Sequence, residues 1–213
     1  EVDIVGGKKL TIEIGNTGAG RKAILQWSTF NVDSGDTVDF ATTSGIYLNK
    51  TSSTATNQNF QGTITGHADS TVIFVAPNGF TLSGPVANIR SLMVSTTDLG
   101  ITDAAILDQD VSASVYDVTP TGSGAVTIGN ASAPTFSGKL RIISGSGGTA
   151  LTGSLGATGG IEISSNNGAL STAANVLTTA GTLSINMGSG AVGVHAAGGD
   201  AALAIKTAAA TID

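Results

Sequence analysis

The stretch "STVIFVAPNGFTLSG", Ser70 to Gly84, frames the fold of this chain. A largely β-branched apolar run, Val72, Ile73, Phe74 and Val75, halts at Pro77-Asn78-Gly79 and resumes at once with Phe80, Thr81 and Leu82. Ala76-Pro77-Asn78-Gly79 suits a type I turn: proline presets φ at the second position, asparagine tolerates the third and glycine closes the fourth. The segment reads as strand, tight turn, strand. Such a unit is either a hairpin or, repeated along a chain, one corner of a coil of parallel strands.

The carboxy-terminal half favours the coil. "KLRIIS" (Lys139 to Ser144), "GIEISS" (Gly160 to Ser165), "TLSIN" (Thr182 to Asn186) and "ALAIK" (Ala202 to Lys206) share one alternation of apolar and polar residues. Their leading apolar residues, Leu140, Ile161, Leu183 and Leu203, lie 21, 22 and 20 positions apart. A weaker series, "ALTGSL", "ALSTAANVL" and "AVGVHA", starts at Ala150, Ala169 and Ala191. A period near 20 built from short strands and Gly/Ser/Asn corners marks a solenoid, here one coil of a parallel β-helix per repeat. Leucine-rich repeats share the period but need a denser leucine consensus than this chain carries. Successive coils would stack strands ~4.8 Å apart, so that equivalent apolar residues form interior columns. Near the start, "KLTIEIG" places Leu10, Ile12 and Ile14 on one strand face and Thr11 and Glu13 on the other. The best candidate for a helical turn is "TDAAILDQD", Thr102 to Asp110, with Asp103 as its cap.

Composition agrees with a thin core. Among 213 residues there are 30 glycines, 11% charged residues and 4% aromatic residues. Large side chains are too few for a thick globular interior. A narrow coil lined with Val, Ile, Leu and Ala needs no more. The absence of cysteine excludes a disulfide framework and any thiolate metal site. A net charge of −6 with only nine Lys and Arg, and no basic stripe, argues against nucleic acid and against anionic membrane surfaces. No apolar run approaches the ~20 residues of a membrane-spanning helix, so membrane insertion is not expected. The opening Glu1-Val2-Asp3 fits a mature chain after removal of a leader, or simply an arbitrary boundary within a longer sequence.

The first hundred residues carry further motifs in a fixed order: "LQWSTFNVDSGDTVDF" (Leu25 to Phe40), "YLNK" (Tyr47 to Lys50), "FQGTITG" (Phe60 to Gly66), "VIFVAPNGFTLSG" and "NIRSLMVSTTD" (Asn88 to Asp98). From about Leu10 to Asp103 this order resembles the filamentous-haemagglutinin-type secretion domain of two-partner secretion proteins. That family's pattern is a tryptophan followed by a Phe-Asn pair, a Leu-Asn pair, a Gly-x-Ile-x-Gly-like segment, an Asn-Pro-Asn-Gly turn and a Leu-x-x-Ser-Thr segment. The resemblance implies a right-handed β-helix with an amino-terminal cap. It also implies recognition by an outer-membrane pore exporter that releases a long adhesin, cytolysin or matrix protein. Carried over residue by residue, Trp27, Phe30, Asn31, Asn49, Pro77, Asn78 and Gly79 become the candidates for exporter recognition or capping.

Each candidate has a purely structural reading as well. Trp27 and Phe30 suit a plug at the open end of the coil, because buried aromatics dominate core energetics. Asn31, Asn49 and Asn78 suit turns or asparagine ladders. His67 and His195 are isolated in sequence and have no evident partners for metal or catalytic work. Asp33, Asp36 and Asp39, and again Asp108, Asp110 and Asp117, are close enough in sequence to weigh calcium, but neither group has the spacing of a calcium loop. Glu13, Asp39 and Glu162 could line an outer groove of the kind used to cleave polysaccharide, but lack the basic and aromatic contacts such a groove needs.

The expected fold is therefore all-β: a capped, secretion-domain-like β-helix over residues 1–103, continued by coils of about 20 residues over 104–213. The expected function is that of a secreted bacterial surface or biofilm-matrix protein, adhesive or fibre-forming, located outside the cell. A glycan- or host-protein-binding module is the alternative. No catalysis, cofactor or metal is expected. The final "ALAIKTAAATID" stays in the coil pattern. This suggests either that coils continue beyond Asp213, or that the Val2-Asp3-Ile4-Val5 strand of a second copy docks there head to tail.

Overall fold

The structure, a computed structural model, describes residues 7–15, 21–100, 111, 113–129, 134–172, 176–194, 204–206 and 209–212. Every strand pairing among them is parallel. The chain winds as a β-solenoid of about six turns, with no α-helix among the described residues. One eight-stranded sheet runs the length of the stack and one six-stranded sheet forms a second face. The third face is split into two four-stranded sheets, which end and begin at Val86–Ala87 and Thr135–Phe136. At ~4.8 Å per strand, the eight-stranded sheet is roughly 35 Å tall.

The opening stretch is a corner. Thr71–Val75 belongs to the eight-stranded sheet and Phe80–Leu82 to the six-stranded sheet, so the turn between them changes face and makes no hairpin. Interior columns run as the alternation requires. In the eight-stranded sheet one column is Ala23, Tyr47, Val72, Leu92, Leu140, Ile161 and Leu183, followed in register by Ala210. From Tyr47 to Leu183 these side chains are fully buried in one continuous core. The predicted series of Leu140, Ile161 and Leu183 thus stacks directly.

Its fourth member differs. Leu203 lies outside the described residues, and the position after Leu183 is held by Ala210, 27 residues on. "ALAIK" supplies instead the strand Ala204–Lys206, which pairs with Val176–Thr178 on a four-stranded sheet. All three faces require the same in-out alternation, so the pattern identifies a strand without identifying its face. The weaker series marks real strands of the six-stranded sheet, Thr149–Leu151, Leu170–Thr172 and Val192–Val194, with Ala150 opposite Ser171 rather than Ala169. The candidate helical turn Thr102 to Asp110 lies outside the described residues.

Coil length varies most between Leu92 and Leu140, which are register partners 48 residues apart. The excess lies between Ser91–Ser95 and Val126–Ile128 as an excursion, of which the described residues Leu99, Val111 and Tyr116 pack on the outside of the eight-stranded sheet. There a second core forms: Ile46, Leu48, Ile73, Val75, Met93 and Ile143 from the sheet meet Leu99, Val111 and Tyr116 from the excursion. This explains the unbroken run Val72–Val75. Val72 and Phe74 face the interior, Ile73 and Val75 face the excursion, and a strand buried on both faces has no polar alternate. The sheet crosses the boundary at residues 103/104 without a break, since Leu92 pairs with Leu140.

Candidate functional site

The candidate residues gather in the first three coils. Strand Lys22–Trp27 ends with its indole stacked on Phe30, ring centroids 4.4 Å apart and 19° between planes. Phe30 meets Phe60 edge-on at 5.2 Å, and Phe60 packs against Phe74 and Phe80 at 4.9 Å each. The low aromatic content is thus spent largely in one place, where ring pairs contribute about 0.5–1.5 kcal/mol each beyond area burial. Phe30 is buried, whereas Trp27 is half-buried against the same core.

Polar groups inside this cluster are paired. Asn49 is fully buried in the interior column between Leu25 and Phe74. Its Oδ1 accepts the Trp27 indole N–H at 3.1 Å, and its Nδ2 donates to the Ile73 carbonyl at 3.3 Å. Asn49 therefore joins the coil before it to the coil after it. Gln58, also buried, accepts the Phe30 amide through Oε1 and donates to the Thr56 carbonyl. Gln58 was not legible as a site residue: a glutamine in a short polar segment looks like solvent-facing strand until the aromatic cluster closes around it.

Asn31 lies on the surface beside the bridge between Val32 and Phe60, and its Oδ1 accepts the Asn59 amide at 2.8 Å. Asn59 exchanges hydrogen bonds with Asn57, which also donates to Thr81 Oγ1 at 3.0 Å. The corner Pro77-Asn78-Gly79 sits directly above. Gly79 N–H donates to Ala76 O at 3.0 Å, as the turn requires, and Asn78 Nδ2 donates to the carbonyls of Ser53 and Ala55, each at 2.6 Å. Gly79 has φ +126°, and a Cβ there would lie 2.5 Å from Asn57 Oδ1. The Pro77 carbonyl faces the next coil at Gly124, where a Cβ would come within 2.4 Å. The corner is a rivet between three coils. We expect Asn78→Ala to lower stability by about 1–2 kcal/mol in denaturant titration, because two carbonyls lose one donor group. A midpoint unchanged from that of the parent would show that the corner holds without it.

The remaining candidates do not converge. Asp36 is buried, and its Oδ1 accepts the amides of Gly7 and Lys8 at 2.7 and 3.0 Å, so it anchors the beginning of the first coil. Asp39 pairs with Lys9 at 2.6 Å on the first four-stranded sheet. Glu162 pairs with Lys139 and Arg141, at 2.6 and 3.2 Å, on the eight-stranded sheet. Glu13 lines an open cleft with Arg21, and is on no shared groove with Glu162. Asp117 pairs with Arg141, His67 closes a turn onto Asp69 and Ser70, and Asp108, Asp110 and His195 lie outside the described residues. No group of three or more metal-ligating side chains forms among the described residues.

One carboxylate outside the predicted set is electrostatically distinctive. Burial pushes the Asp98 carboxyl up, but the Gly100 amide, the Lys50 ammonium 3.1 Å away and the Leu99 amide together hold it below the usual carboxylate range. Asp98 thereby pins the beginning of the outer excursion to strand Ile46–Thr51. Comparison of the chain with family models, with curated proteins and with solved structures found no match.

Proposed function

We propose that this chain belongs to a secreted bacterial surface or matrix protein, an adhesin or fibre component released through an outer-membrane pore partner. The observation that carries the reading is what the motif residues do. Trp27, Asn31, Asn49 and Asn78 each spend their polar atoms on neighbouring coils, and Phe30 and Gly79 complete the packing around them. A motif set devoted to coil stacking supports a role in reach and assembly. In this reading the stack is right-handed, and Trp27 and Phe30 cap its first coils. Val192 supports extension: it holds the interior position after Leu170, which is buried, yet is itself 38% exposed. A further layer on that column, from a continuing coil or from a second copy, is what this reading expects.

The test is release. The chain, placed behind a cleavable leader in a Gram-negative host, is produced with and without a two-partner-secretion-type pore from its own genome, and protein in the medium is quantified. Pore-dependent release is expected. Replacing Asn78 and Gly79 together should lower release and folding yield. Equal release with and without the pore defeats the export reading, and electron microscopy of the released material decides between fibre and monomer.

A further inference from the structure

We draw no further inference here: the strongest candidate, the outer face of the six-stranded sheet, where Asn59, Thr81, Thr127, Ala150 and Ser171 stack in register without a charged side chain among them, is a stripe of small residues and nothing in the structure shows what covers it.

Discussion

Ile161→Asp should prevent the carboxy-terminal coils from folding, with a loss of more than about 4 kcal/mol. Ile161 is fully buried between Leu140 and Leu183 in the interior column, with apolar side chains above and below. A carboxylate there has neither water nor a cationic partner, and the interior cannot solvate it. Because each coil is stabilised by contact with its neighbours, loss at one level removes the surface on which the next coil stacks. Ile161→Val, which removes one methylene from the same site, should cost only about 1 kcal/mol. Circular dichroism during denaturant titration reads both variants. If Ile161→Asp unfolds at the midpoint of the parent chain, the column is not the core of the solenoid.

Gly84→Ala should cost about 3 kcal/mol, far more than one methyl group ordinarily does. The corner after Phe80–Leu82 lies on the corner of the coil below, and a Cβ at Gly84 would sit 1.8 Å from the Gly62 carbonyl oxygen and 2.6 Å from that of Gln61. Both obstacles are backbone, so no rotamer change relieves them. The corner must shift, and Ser83 and Gly84 then lose their amide bonds to the Phe60 carbonyl, each 2.9 Å at present. Gly15→Ala is the control: nothing lies within 4 Å of its Cβ position, and the change should stay within about 0.5 kcal/mol. Equal midpoints for the two variants would mean that the corners have room to move apart.

These two sites explain the composition. Interior columns need aliphatic side chains at alternate strand positions, and stacked corners need residues that let backbone meet backbone. Gly62, Gly84, Gly145 and Gly168 each face neighbouring backbone within 3 Å of where a Cβ would be. A chain that is rich in glycine and poor in aromatics follows directly. Its aromatic residues concentrate where Trp27, Phe30, Phe60, Phe74 and Phe80 fill the first coils.

What the sequence determined by itself was the local geometry. Alternation in "KLRIIS", "GIEISS" and "TLSIN" specifies strands with one inward face, and their spacing brings Leu140, Ile161 and Leu183 into a single column, because a strand has only two faces and a coil returns after a nearly constant length. The Pro77-Asn78-Gly79 corner was equally legible, since its turn chemistry is written in adjacent residues. The tertiary structure alone decided whatever depends on which face a strand joins and what lies across from it. The same alternation serves all three faces, so "ALAIK" could not be told apart from a strand of the eight-stranded sheet, where Ala210 takes the position next to Leu183. Nor could Ile73 and Val75 be assigned an outer partner. Leu99, Val111 and Tyr116 meet them through long-range apolar burial, with Arg141 from the following coil holding Val111 and Asp117, and no local pattern encodes contacts made across that separation.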